Sequence, residues 1–346
     1  MTTKKTDPDG VGIDNGNYFG FDFNIENSNI VIIPIPWDVT TSYQKGTSKG
    51  PESIIKASVQ LDFFDLNVDK AWEIGHYTHK TPADIADSNK VLRSHAEKII
   101  DHLEKGRSIK DTSIAENLNI VNSECRNINR YVYETATHYL NNDKLCIING
   151  GDHSVPLGFI EALADKNNSF GILHIDAHAD LREAYEGFEY SHASIMHNAI
   201  KLDSVKQITQ VGIRDLCSSE AETIKNSSEI TCFYDDTISE MMFNGRNWNA
   251  ICDIIVDTLP EKVYLSFDID GLDPSLCPNT GTPVPGGLSF NQAIYLIKKV
   301  VEKGKKIIGC DLCEVAPGNN EWDANVGARI LYSISNLMYK SNIEVV

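Results

Sequence analysis

Short apolar runs alternate with longer amphipathic stretches along the chain. The runs are Ile30–Ile35, Leu145–Ile148, Phe170–Ile175, Ile208–Ile213, Val263–Phe267 and Ile307–Cys310, each ending in polar or Gly-rich sequence. Continuous apolar character over so few residues predicts strands buried on both faces of a parallel sheet. Helical segments are predicted between them. Gly50–Ser58 carries Pro51 at a helix start, and residues 86–105 place apolar side chains near the 3.6-residue period. Cys125–Leu140, Leu157–Asp165, Ser218–Asn226, Phe290–Lys303 and Asp323–Tyr339 follow, the last with Asp323 as its cap. Strands alternating with helices indicate an α/β fold with a mainly parallel sheet. Residues 1–28 are polar and read as an N-terminal arm. Residues 29–346 read as a single domain, with the polar stretch 82–130 a helical elaboration of it.

The ends of three runs carry the chemistry. Asp176-Ala-His178-Ala-Asp180 follows Phe170–Ile175, and Asp268-Ile-Asp270 follows Val263–Phe267. His153 lies in Gly150-Gly-Asp-His-Ser154, just after Leu145–Ile148. If the strand continued, residues at i, i+2 and i+4 would share one face, so Asp176, His178 and Asp180 are expected to project together. His174 falls on that same face, where a supporting role and a packed core histidine are equally compatible. In open α/β sheets ligands sit beyond the carboxyl ends of the strands, so all three groups are expected at one sheet edge. Two histidines and four aspartates form an oxygen-rich, nitrogen-containing donor set suited to Mn²⁺, with Ni²⁺, Co²⁺, Fe²⁺ and Zn²⁺ compatible. Four carboxylates alone would repel. Two divalent cations would balance them and can lower the pKa of a shared water towards ~7. His76-Tyr-Thr-His79 has ligand-like spacing but no carboxylate set and reads as surface.

Composition narrows the partners. A net charge of −18 over 346 residues argues against nucleic acid and anionic membranes and favours cationic ligands. Of eight cysteines only Cys310-Asp-Leu-Cys313 has a CxxC spacing, and no second pair completes a zinc set. They read as reduced residues of a cytoplasmic protein. The N-terminus lacks the apolar core of a secretory signal, and no run approaches the ~18–20 apolar residues that span a bilayer.

Together, Gly150-Gly-Asp-His-Ser154, Asp176-Ala-His-Ala-Asp180 and Ser266-Phe-Asp-Ile-Asp-Gly-Leu-Asp-Pro-Ser275 resemble the three signature motifs of the ureohydrolases, the family of arginases and agmatinases. Pro34-Ile-Pro-Trp-Asp38, Thr41-Ser-Tyr-Gln-Lys-Gly46 and Gly281-Thr-Pro-Val-Pro-Gly-Gly287 are similar to further loops of that family. The resemblance spans about residues 30 to 335. It implies a three-layer α/β/α fold and a binuclear manganese centre. By motif position, His153, Asp176, Asp180 and Asp268 would hold one ion, and His178, Asp176, Asp268 and Asp270 the other. Glu314 matches the family glutamate that binds the substrate guanidinium, where a carboxylate can accept two parallel N–H bonds. His192 resembles the histidine that passes a proton to the leaving amine, although Ala193 stands where the family more often has Gly. Asp180 is the other implied proton carrier. The resemblance also implies a homo-oligomer, a trimer or hexamer, acting on a small cationic guanidino substrate to release urea.

The substrate is less legible. The arginase pattern is absent from Leu181-Arg-Glu-Ala-Tyr-Glu-Gly-Phe-Glu-Tyr190. Glu183, Glu186 and Glu189 could attract the distal ammonium of agmatine, or simply be solvated. Arg182 could hold a substrate carboxylate or pair with a neighbouring Glu. Agmatine is the expected substrate; arginine, guanidinobutyrate, formiminoglutamate and free guanidine are the alternatives. A metal-binding homologue without activity is the reading from another class. Asn319–Arg329 departs from the agmatinase pattern.

Overall fold

The computed structural model describes residues 7–343. Eight strands run in chain order: β1 (Ile30–Pro34), β2 (His76–Thr78), β3 (Leu145–Asn149), β4 (Phe170–Ile175), β5 (Val205–Ile213), β6 (Ile230–Tyr234), β7 (Lys262–Phe267) and β8 (Lys306–Leu312). They form one sheet of order β2-β1-β3-β8-β7-β4-β5-β6, and every pairing is parallel. The helices are α1 (Gly50–Ser58), α2 (Ala83–Glu104), α3 (Thr112–Leu140), α4 (Leu157–Lys166), α5 (Ile195–Ala199), α6 (Ser218–Asn226), α7 (Asp235–Phe243), α8 (Trp248–Asp257), α9 (Phe290–Glu302) and α10 (Trp322–Asn342).

Two apolar cores lie on opposite faces of the sheet, which makes three layers. Within β1, Ile30 and Ile32 belong to one core while Val31 and Ile33 belong to the other. That alternation is why the strand reads as continuously apolar. The first core takes residues of α1, α8, α9 and α10, and the second those of α2, α3 and α4. The expected α/β/α architecture with a parallel sheet is the architecture found.

Several expectations need correction. The segment read as an arm contributes Tyr18, Phe19 and Phe21 to the first core, and the Tyr18 hydroxyl donates to Asn149 Oδ1 at 2.7 Å. Three aromatic residues in four were outweighed by the polar residues around them. Residues 1–6 lie outside the described chain. The pair His76 and His79 is not surface. His76 is buried on β2, its Nε2 3.0 Å from Ser335 Oγ and its ring edge-on to Phe19. His79 bridges the hydroxyls of Tyr139 and Tyr131 at 2.8 and 2.9 Å. Asp323 is not a cap. It is buried in the first turn of α10, and its carboxylate accepts from the Asn279 backbone and side-chain amides, both at 2.9 Å. The stretch 82–130 forms α2 and the first part of α3, and α3 extends well before Cys125. All eight cysteines are free.

Candidate metal centre

The four central strands, β3, β8, β7 and β4, stand side by side, and each delivers part of the site from the loop at its carboxyl end. After β3 the chain turns through Gly150 and Gly151. A Cβ on Gly151 would lie 2.0 Å from Trp37 O, so only glycine lets this loop approach its neighbour. The turn presents His153. After β8 comes Glu314, whose backbone is left-handed at φ 62° and whose amide donates to Gly151 O at 2.8 Å.

The Asp-x-His-x-Asp group is not the strand continuation expected from its alternation. β4 ends at Ile175, and Asp180 sits at φ 54°. The side chains converge because the loop folds on its own polar groups. His178 N donates to Asp176 Oδ1 at 2.6 Å, and Ala177 N donates to Asp270 Oδ1 at 3.0 Å. Asp268 likewise opens a tight turn, accepting from Asp270 N at 2.8 Å. A Cβ on Gly271 would meet Asp176 N at 2.7 Å, so glycine permits the β4 and β7 loops to touch.

These loops bring the six predicted ligands into one cluster, buried except for half-buried His178. His153 Nδ1 faces Asp176 Oδ2 at 3.1 Å, Asp180 Oδ2 at 3.2 Å and Asp268 Oδ2 at 3.3 Å. His178 Nδ1 faces Asp270 Oδ2 at 3.1 Å and Asp176 Oδ1 at 3.5 Å. Asp176 thus points one oxygen at each histidine. The far nitrogen of His153 lies 2.9 Å from Ser266 Oγ and 3.6 Å from Asp311 Oδ1. Those acceptors leave Nδ1 as the nitrogen free to ligate.

The electrostatics match a cation site. Burial, then the neighbouring Asp176, pushes the Asp180 carboxyl up to about 6. Burial, Asp270 and Asp176 likewise raise Asp268. Burial works the other way on His153, but the carboxylates around it outweigh burial and raise it well above the usual imidazole value. Four buried carboxylates meeting buried His153 and half-buried His178 fit divalent metal ions by charge and donor type.

Glu314 is buried. One oxygen accepts His153 N at 2.9 Å, while Oε2 has no partner, and burial raises its carboxyl strongly. Together with Asp180, His192 and Asp215 it lines a cavity of about 160 Å³. His192 Nδ1 lies 3.4 Å from both Thr40 Oγ and Ser191 Oγ. Burial, then His178 and His153, push its imidazole down to about 3. Arg182 lines the cavity too, but its Nε lies 3.7 Å from Glu220 and its guanidinium stacks on Tyr185 at 4.7 Å. Glu183 is exposed and Glu189 pairs with Arg126, so neither joins the others.

Sequence reasoning overlooked several supports. Asp311 accepts from Tyr264 Oη at 2.6 Å and Phe267 N at 3.1 Å. Its signal was an acidic residue inside an otherwise apolar strand. Asn122 of α3 clamps the 181–190 loop, donating to Gly187 O and accepting from Glu189 N, each at 3.0 Å. Arg93 of α2 donates to the carbonyls of Asp38, Val39 and Thr41. No sequence signal marked these two, because their partners are backbone atoms remote in the chain.

This geometry has relatives. The arginase family model matches residues 28–336. The chain belongs to the arginase family. The N(1)-aminopropylagmatine ureohydrolase of Synechocystis sp. is 31% identical over 83% of this chain and 81% of its own length. The enzyme of that name from Thermus thermophilus is 29% identical over 89% of each chain. The agmatine ureohydrolase of Thermoplasma volcanium superposes with a TM-score of 0.67 at 21% identity, covering 92% of each chain, and so shows the fold. As an arginase-family ureohydrolase, the protein is a hydrolase of guanidino carbon–nitrogen bonds. Among the described residues no helix is long and apolar enough to cross a membrane.

Proposed function

We propose that the protein hydrolyses a guanidino compound with a cationic tail, agmatine, to urea and a diamine. The observation that carries this is the charge of the cavity. Glu314 offers a buried, unpartnered oxygen, and Asp215 is exposed at the same cavity without a side-chain partner. Among the described residues lining it, Arg182 is the one Lys or Arg, and Glu220 and Tyr185 engage it. A substrate carboxylate would therefore meet negative groups, whereas an ammonium would be attracted. A second reading, N(1)-aminopropylagmatine, is supported by the names of the relatives from Synechocystis and Thermus. It too places a cation at the tail.

In this reading His153, Asp176, Asp180 and Asp268 would hold one divalent ion, and His178, Asp176, Asp268 and Asp270 would hold the other. When bound, two manganese ions would supply Lewis acidity and a water that ionises near neutral pH. The protein groups do the rest. Glu314 accepts guanidinium N–H groups through its free oxygen and fixes the planar carbon against the ligand cluster. Asp180 lines the cavity beside the ligand cluster, where its carboxylate is placed to relay a proton towards the leaving amine. His192 is held neutral by its surroundings, so it serves the leaving amine only after accepting a proton first. The expectation of a homo-oligomer stands as a proposal, to be read by sedimentation.

The deciding experiment measures urea release by manganese-loaded protein. The substrates are agmatine, N(1)-aminopropylagmatine, arginine, guanidinobutyrate and guanidine. Formiminoglutamate is scored by its own products. Highest kcat/KM with one of the first two is expected. Preference for guanidinobutyrate would overturn the cationic-tail reading, and no product from any would favour an inactive metal-binding homologue.

A further inference from the structure

Behind the ligand cluster, one row of the sheet is polar and fully buried. Gln210 on β5, His174 on β4 and Ser266 on β7 are in register across three adjacent strands. Strands buried on both faces rarely carry such a row unless its hydrogen bonds are used. Ser266 supports His153 as described above; the other two residues form a chain of their own.

The chain begins at a backbone carbonyl. Gln210 Nε2 lies 2.7 Å from Ala179 O and 3.0 Å from His174 Nδ1. A carbonyl oxygen can only accept, so the amide must turn its NH₂ toward Ala179 rather than its oxygen. The second amide hydrogen then points to His174 Nδ1, which must be the acceptor. That leaves the proton of neutral His174 on Nε2, and this nitrogen lies 2.8 Å from Asp176 Oδ2. The donor therefore faces the one carboxylate whose two oxygens are turned toward both histidine ligands.

We propose that Gln210 and His174 form a tautomer-setting relay that positions Asp176 for metal binding. Ala179 O orients the Gln210 amide, the amide fixes His174 as an Nε2–H donor, and that donor holds Asp176 in the orientation that serves both ions. His174 is thus a positioning residue and not a ligand, although its nitrogen comes close enough to the cluster to be mistaken for one. The inference rests on the reading of Asp176 as a metal ligand.

The test is Mn²⁺ affinity by calorimetry or chelator competition, on the wild type and on His174→Leu, His174→Gln, Gln210→Leu and Asp176→Asn, with the melting temperature of each metal-free protein. Loss of an outer-shell partner typically weakens metal binding by about 10–100-fold. His174→Leu should fall in that range. His174→Gln, which can still offer an N–H to Asp176, should recover most of it. Gln210→Leu should lose affinity through a residue that never meets the metal, with ¹⁵N imidazole shifts of labelled protein showing a mixed tautomer at His174. Equal losses in His174→Leu and His174→Gln, or wild-type affinity in His174→Leu, would overturn the relay. Asp176→Asn separates the two levels: if it loses metal while His174→Leu does not, only the relay fails. If Asp176→Asn binds normally, the ligand reading fails and the relay with it.

Discussion

Single side chains here are tuned by burial. Glu314 has a free oxygen at 5% exposure, and little but a hydrogen-bonding substrate would justify that arrangement. Glu314→Gln keeps the shape and removes the charge. It should lower kcat/KM by on the order of 100-fold, about 3 kcal/mol of a charge-assisted contact, while metal content by elemental analysis stays at the wild-type value. Asp268→Ala should instead abolish metal binding and turnover together; full activity in that variant would count against the two-ion cluster. His76 gives a prediction far from the site. Burial lowers its pKa to about 3, whereas an unfolded chain protonates histidine near 6.5. Between those values the unfolded state binds more protons, so stability falls as pH drops through that window, by at most about 1.4 kcal/mol per unit. His76→Phe should flatten the decline between pH 6.5 and 4 in urea denaturation. An unchanged slope would assign the acid sensitivity to other groups.

At the level of elements, the helical elaboration acquires a purpose. α2 and α3 cover one face of the sheet, and from that face Arg93 and Asn122 reach two loops at the cavity mouth. Asn122→Ala should free the 181–190 loop while removing about 1–2 kcal/mol of hydrogen bonding from the folded state. The expected signature is a several-fold rise in KM with a smaller change in kcat, measured in steady-state assays. A change confined to kcat would mean that the loop acts on chemistry and not on substrate capture. Asp323 plays a similar part from α10, holding Asn279 close to Thr280, whose hydroxyl donates to Glu314 O at 2.8 Å. The segment Asn319–Arg329 thus bears on the cavity through the backbone that carries Glu314.

Across the whole molecule, metal and fold are linked. The loops of the four central strands are joined by carboxylates that repel without a counter-charge. Ligands that bind the folded state alone stabilise it by mass action, by about 4 kcal/mol at a thousand times Kd. Chelator treatment should therefore lower the melting temperature, and added Mn²⁺ should restore it in proportion to its logarithm. No shift in calorimetry would mean that the ion contributes nothing to global stability.

The apolar runs were enough to find six of the eight strands among the described residues, because a strand buried on both faces is apolar at most of its positions. The two edge strands escaped notice. β2 is three residues long and opens on a histidine, and β6 carries only half-buried positions between Ile230 and Phe233. The clustered histidines and aspartates were legible because metal chemistry demands particular side chains just after strands. How they converge was not legible. Alternation suggested a continued strand, whereas tight turns closed by backbone-to-carboxylate bonds do the work at Asp176 and Asp268. The sequence by itself thus determined the layered fold, the donor set and the family of reaction, all of which depend on residue type and local spacing. The tertiary structure alone decided that Arg182 pairs with Glu220, that Asn122 holds the 181–190 loop, and that Gln210 stands behind His174. Each of these depends on two groups distant in the chain meeting in space, and no local pattern records that.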